Sequence, residues 1–365
     1  MKQSIFLFLC ISALISGSAC SIQISQNVPA TQTTSAPANE AANIPVTWGS
    51  LNLTGRLIYV ATHFKRNNNA KGGLTIDVKS LDLATGNVTT IFETPLGGWI
   101  DSMAVAPDLK NLIISYAPSS DPPLGGKERL YIMPLDGSQP PHLLFTPPSD
   151  KDQYYQPDWS PDGKYIYFTH VNYQSSSATY EVMRFTYPNG KLEQVANQAY
   201  WPRLSGDGSH IAYVSIESAS GPNGLFVANA DRSDARPVPL LGSGWINNFI
   251  DAPLFLPDGQ TILFSGPIPL QGSAPSWIEK LLGITVASAH GSIPSDWWSV
   301  PMTGGEPLRL THIYSPGLFA SLSPDLRYIA SYSASGIFVM NPEGGNLNQV
   351  VNFTGGILGT VSWIP

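Results

Sequence analysis

Apolar residues in this chain come in short runs cut by clusters of Pro, Asp, Gly and Asn, and the runs return at a near-constant interval. The clearest copy reads Gln156-Pro157-Asp158-Trp159-Ser160-Pro161-Asp162-Gly163-Lys164-Tyr165-Ile166-Tyr167-Phe168. An apolar strand enters a Ser-Pro-Asp-Gly turn and a second apolar strand leaves it. The turn recurs as Ala106-Pro107-Asp108-Leu109-Lys110, Ser205-Gly206-Asp207-Gly208-Ser209, Leu256-Pro257-Asp258-Gly259-Gln260 and Ser323-Pro324-Asp325-Leu326-Arg327, with a degenerate first copy at Asn52-Leu53-Thr54-Gly55-Arg56. A second turn follows each of these, as in Leu83-Ala84-Thr85-Gly86, Leu135-Asp136-Gly137 and Met302-Thr303-Gly304-Gly305. Such steps supply the positive φ of tight hairpins. Each unit therefore holds two hairpins, or four strands, and a repeat of this period predicts an all-β, six-bladed β-propeller.

The ends of the chain predict how the ring closes. Thr360-Val361-Ser362-Trp363-Ile364-Pro365 has the character of a strand before an anchor turn, yet the sequence stops there. Leu57-Ile58-Tyr59-Val60 is a strand after a turn with no good strand before it. Pairing the two completes the first blade and removes two free sheet edges.

Residues 1–19 read as an export signal: Lys2, an apolar run from Ile5 to Ile15, then Ser16-Gly17-Ser18-Ala19. Cys20 follows directly and resembles the lipidated cysteine of a bacterial lipobox, with Gly17 where that pattern has an aliphatic residue. Only 2 Cys occur, and Cys10 lies within the signal, so the mature chain forms no internal disulfide. Residues 20–47 are rich in Ser, Thr, Pro, Asn, Gln and Ala and read as a disordered tether. Residues 48–365 are assigned to the propeller, with membrane contact through the lipid anchor only.

Charged residues are 12% of the chain and the net charge is -7, which argues against a nucleic-acid partner. No HExxH, Cys-x-x-Cys or calcium-loop spacing occurs, and no G-x-S-x-G element. No cofactor, metal site or catalytic residue is therefore assigned. Asp158, Asp162 and Asp207 read as strand-end and turn acids that bond local backbone.

Strand direction alternates within a blade. With strands A to D counted from the channel outward, the A–B and C–D turns share one face, here the turn face. The B–C loops and the D–A links share the other, the loop face. Every long or unusual segment falls on the loop face, so function is assigned there. The candidate binding funnel is Trp99, Asp101, Tyr155, Gln156, Tyr200, Trp201, Arg203, Trp245, Asn248, Asp251 and Phe319, all near the start of an A strand. An insertion from Gly266 to Asp296 in blade five predicts a short helix, capped by Ser276 and Glu279 and ended by Gly283. Its apolar residues Trp277, Ile278, Leu281 and Leu282 are a candidate docking knob.

The anchor Pro157-Asp158-Trp159-Ser160-Pro161-Asp162-Gly163-Lys164-Tyr165-Ile166, with the C strand and turn Leu130-Tyr131-Ile132-Met133-Pro134-Leu135-Asp136-Gly137, resembles the repeat of TolB-type propellers. The resemblance runs from Leu57 to Pro365. It implies a non-catalytic, monomeric binding scaffold at the cell envelope, whose partner is an envelope protein, a peptide or a glycan. The alternative is a propeller enzyme, a lyase or hydrolase acting on glycans or peptides through the central funnel. Clustered carboxylates or histidines in the funnel would favour the enzyme, and aromatics and amides the scaffold.

Overall fold

The computed structural model describes residues 48–66, 72–119, 127–173, 178–216, 224–242, 250–267, 294–353 and 359–365. These form six sheets of four antiparallel strands, and the A strands contact one another around the centre. The A strands are Val361–Ile364 in blade one, Trp99–Val105 in two, Asp152–Trp159 in three, Ala199–Leu204 in four, Asp251–Phe255 in five and Phe319–Leu322 in six. Among the described residues the one helical element is the 3-10 turn Gly49–Leu51, and no helix is long and apolar enough to cross a membrane. The helix expected within Gly266–Asp296 lies outside the described residues, as do Cys20, the signal and the tether. The described flanks of that insertion end strand B (Thr261–Pro267) and begin strand C (Ser295–Pro301), so it departs from and returns to the loop face.

The C-terminal strand closes blade one. Leu57 pairs with Trp363 and Ile58 with Ser362 in antiparallel register. Trp363 donates its indole N–H to the Thr54 carbonyl at 2.9 Å. Gly55 takes a φ of 85°, and a Cβ there would lie 2.2 Å from the Ile364 carbonyl oxygen. The degenerate first turn is thus a glycine turn shaped to admit the last strand. Trp48, 2% exposed, donates its indole N–H to Leu83 and plugs the same junction from the N-terminal side.

The core is divided among the wedges between blades. Between blades two and three, Ile113, Leu130 and Ile132 meet Tyr154, Trp159, Ile166, Phe168 and Phe185. Between blades six and one, Tyr332, Ile337 and Val339 meet Leu57, Leu81, Trp48 and Trp363. Each large apolar side chain buried in such a wedge contributes roughly 1.5–3 kcal/mol.

The Ser-Pro-Asp-Gly turn has a simple mechanism. In blade three Asp162 accepts the Ser160 hydroxyl at 2.7 Å and the Lys164 N–H at 3.1 Å, while Ser160 Oγ accepts the Tyr165 N–H at 2.8 Å. Ser205, Asp207 and His210 repeat this in blade four, and Ser323, Asp325 and Tyr328 in blade six. The turn satisfies its own backbone donors, which is why Ser and Asp recur at fixed offsets. These hydrogen bonds hold the Asp162 and Asp207 carboxyls down to about 2.

Deleting residues 360–365 removes Val361, Trp363 and Ile364 from the core, of the order of 5 kcal/mol, and lowers Tm by about 10 °C or more. A truncated protein that melts with the parent in calorimetry refutes closure. Asp162 and Asp207 titrate below their unfolded value of about 3.9, so their stabilisation is complete above about pH 4 and disappears as pH falls toward 2. The gap in urea midpoint between the parent and the Asp162→Ala/Asp207→Ala double variant therefore narrows over that range, and a gap independent of pH contradicts this origin.

Candidate functional site

Four A strands break their register with strand B near the loop face. The breaks fall between Ile100 and Ser102, Tyr155 and Asp158, Tyr200 and Arg203, and Asp251 and Leu254. In blades three to five the interrupted dipeptides are Gln156-Pro157, Trp201-Pro202 and Ala252-Pro253. Proline has no N–H for the ladder. The residue before it is left-handed, with φ of 49° at Gln156, 60° at Trp201 and 49° at Ala252. Bulges of this kind re-aim side chains. The freed N–H groups find acceptors on the preceding blade: Gln156 on Ser102 Oγ at 2.8 Å and Trp201 on Thr169 Oγ1 at 2.8 Å.

The bulges direct side chains into and across the channel. Trp201, 3% exposed, lies against Phe319 of blade six with ring centroids 4.8 Å apart. Arg203 donates to the Ala320 carbonyl of blade six at 3.2 Å and pairs with Asp158 of blade three at 3.5 Å. Asp158 in turn accepts the Leu204 N–H of blade four at 2.8 Å. Burial pushes the Asp158 carboxyl above its ordinary range, with Arg203 pulling the other way. Gln156 is buried and accepts the Thr169 hydroxyl at 2.6 Å. These side chains connect blades three, four and six across the centre.

Around this plug sit tyrosine–carboxylate pairs. Tyr155 donates its hydroxyl to Glu128 at 2.9 Å, and Gln153 is a second partner. Burial, then the charge of Glu128 and further off that of Asp101, pushes the Tyr155 hydroxyl far up. Tyr200, 8% exposed, donates to Asp251 at 2.7 Å, and burial followed by that carboxylate raises its titration likewise. Both phenols stay protonated and serve as donors.

The end of blade three carries a group that the sequence does not signal. His170 places Nε2 2.9 Å from Asp152 and Nδ1 3.0 Å from Glu181. Tyr154 stacks on the ring at 5.2 Å. Asp152 also bonds Asn172 and the Ser149 N–H, at 2.8 Å for the latter. Burial opposes its ionisation, yet the bonds from His170 and Asn172 outweigh it and hold the carboxyl low. The two carboxylates occupy opposite ring nitrogens, so they do not converge on one point as metal ligands would. Among the described residues no group of three or more His, Cys, Asp and Glu could hold a metal.

The expected funnel residues thus separate. Trp201 meets Phe319, and Arg203 reaches the same strand of blade six, while Gln156 is joined to Trp201 only through Thr169; Asp101 and Tyr155 gather at the junction of blades two and three, and Tyr200 with Asp251 at that of four and five. Trp99 is partly buried against the wedge of blades one and two. Trp245, Asn248, Trp277, Ile278, Leu281 and Leu282 lie outside the described residues. Trp201 and Tyr200, expected in the funnel, are both covered: Trp201 lies against Phe319, and Tyr200 donates to Asp251 and the Ile250 carbonyl. The sequence reading missed two exposed aromatics on the loop face, Tyr173 at 44% and Tyr314 at 50% exposure. Tyr314 is fixed from below: Asp296, fully buried, accepts its N–H at 3.2 Å and that of Ile313, and pairs with Arg309, whose guanidinium lies 4.9 Å from the Tyr314 ring. The signal available for it was the aromatic in the D–A link.

The chain shares its fold with solved structures. Its structural neighbours include TolB-type propellers. TolB from Acinetobacter baumannii matches at 16% identity and a TM-score of 0.56, over 85% of this chain and 66% of that one. A TolB-like protein from Agrobacterium tumefaciens matches at 16% identity and 0.52, over 86% of this chain and 99% of that one. A puromycin-hydrolyzing peptidase from Mycobacterium tuberculosis matches at 13% identity and 0.50, over 90% of this chain and 50% of that one. At these identities the likeness is one of fold. No protein-family model matches the sequence, and no curated protein does.

The plug gives a direct test. Trp201→Ala destabilises the fold by roughly 3–5 kcal/mol, read as a lower urea midpoint at unchanged slope. A change below about 1 kcal/mol means that Trp201 does not close the channel.

Proposed function

We propose that this chain is an exported, lipid-anchored propeller that acts as a non-catalytic binding scaffold for a protein partner at the cell envelope, and that the partner docks on the loop face. The observation that carries this reading is the set of side chains that bridge the blades across the channel. Trp201 on Phe319, and Arg203 between Asp158 and Ala320, make these bridges. The ionisable groups around it are held by other protein groups. His170 faces carboxylates with both nitrogens, and Tyr155 and Tyr200 donate hydrogen bonds to Glu128 and Asp251. Groups committed in this way fix a surface rather than move protons to a substrate.

On the loop face, Tyr173 and Tyr314 offer large, amphipathic contact area at low entropy cost, the character of interface anchors. The Gly266–Asp296 insertion joins the same face, with Trp277, Ile278, Leu281 and Leu282 as additional docking residues. Cleavage of residues 1–19, lipid on Cys20 and a tether over residues 20–47 would present the propeller from a membrane surface.

The test uses the partner recovered from envelope extracts with the full protein as bait. Tyr173→Ala and Tyr314→Ala each weaken its binding by roughly 1–3 kcal/mol, with Tm unchanged, whereas Lys164→Ser on the turn face leaves it intact. Cys20→Ser moves the protein to the soluble fraction. Turnover of a glycan or peptide, lost on Tyr155→Phe or His170→Gln, would replace the scaffold with an enzyme. Retention of the Cys20→Ser protein in membranes would remove the anchor.

A further inference from the structure

The turn face carries a groove of about 550 Å³ between blades five and six, on the opposite side from the docking surface proposed above. Its walls are the A–B turn and outer strands of blade five and the A–B and C–D turns of blade six. Sites that bury small ligands or peptide side chains span roughly 300–1,000 Å³. Four leucines from three segments converge in it: Leu256, Leu308 with Leu310, and Leu326. Leu308 is 64% exposed and Leu326 48% exposed. A single exposed leucine is ordinary; several turned into one concavity form an apolar surface that water covers poorly.

The polar groups of the walls set the chemistry of the occupant. Asp258 is committed to its own turn, accepting the Gln260 and Thr261 N–H groups, each at 2.9 Å. Arg327 is neutralised by Asp325 at 2.7 Å. Glu343 has no hydrogen bond or ion pair among the described residues, and neither does the buried Oδ1 of Asn341. What the walls still offer is therefore the Glu343 carboxylate, above leucines. The chain's net charge of -7 adds to this bias. An acidic ligand would meet an unpaired carboxylate; a basic side chain would find its partner. The walls are also pre-formed. Gly344, at φ 84°, lets the C–D turn of blade six press on blade five, where a Cβ would lie 2.4 Å from the Leu310 carbonyl oxygen.

We propose that this groove docks a short peptide segment of a partner protein that carries apolar side chains next to a Lys or Arg. The apolar residues cover Leu308 and Leu326, and the cation pairs with Glu343. The proposal does not rest on the loop-face reading, since no residue is shared.

Random peptides displayed on phage are selected on the full chain, with the Leu308→Asn/Leu326→Asn double variant used for subtraction. The affinity of one selected peptide is then measured by fluorescence anisotropy. The expected peptides combine apolar residues with Lys or Arg, and the double variant weakens their binding at least tenfold while its Tm stays within a few degrees of the parent. Glu343→Lys weakens the same peptide, and a peptide with Glu in place of its basic residue recovers the loss. No peptide surviving subtraction, or survivors without a basic residue, overturns the proposal. So does concentration-dependent dimerisation that the double variant abolishes, which would make the occupant a second copy. A photo-crosslink from position 308 to residues 21–47 of the same chain would assign the groove to the protein's own N-terminal segment and overturn it equally.

Discussion

Each blade turns one strand edge toward the channel, and the N–H groups on that edge have no neighbouring strand to accept them. The molecule solves this by borrowing from the blade before. Thr360 Oγ1 accepts the Met103 N–H, Ser102 that of Gln156, Thr169 that of Trp201, Asp158 that of Leu204 and Ser321 that of Trp363, all within 2.8–3.0 Å. Each bond is worth only about 0.5–1.5 kcal/mol net, but leaving the donor buried and unpaired costs about 1–3 kcal/mol. The wedges of apolar side chains supply most of the stability. The polar contacts fix how each blade sits on the next, and so where every loop-face residue stands.

The same bulges also decide which side chains reach across the channel. A Pro at the bulge removes a ladder donor, the preceding residue goes left-handed, and its side chain leaves the alternation of the strand. For Trp201 the new direction is inward, onto Phe319. Arg203, two residues on, then finds a carbonyl on blade six and a carboxylate on blade three. A partly buried arginine needs such partners, and here the ring itself provides them. A device that satisfies the backbone thus also decides which side chains bridge the blades.

The fold is shared with proteins named as TolB and as a peptidase, so it does not by itself select a function. What differs is how the two faces are finished. On the loop face, charged groups are matched in tyrosine–carboxylate and histidine–carboxylate sets, and exposed aromatics stand above them. On the turn face, the regular turns satisfy themselves, and the leucine groove between blades five and six is the exception to that self-sufficiency. The two surfaces therefore present different chemistry: exposed aromatics on one, leucines beside the Glu343 carboxylate on the other.

Strand count, blade number, turn chemistry and closure were legible in the sequence, because they rest on local rules. A Ser-Pro-Asp-Gly turn satisfies its own donors wherever it occurs, alternation marks the buried face, and an orphan strand at Val361–Ile364 has one partner lacking a neighbour, Arg56–Val60. The assignment of Asp162 and Asp207 to turns held for the same reason. Which candidate residues meet was not legible. Tyr155 with Glu128, His170 between Asp152 and Glu181, and Trp201 with Phe319 join residues from different strands or blades, up to 118 positions apart in the last pair. No periodicity records such pairs. Nor does the sequence show that Trp201 points inward, since one bulged residue reverses the side-chain alternation on which the reading depends. The repeat determined the ring; the bulges and the angle between blades, properties of the assembled ring alone, decided its surfaces.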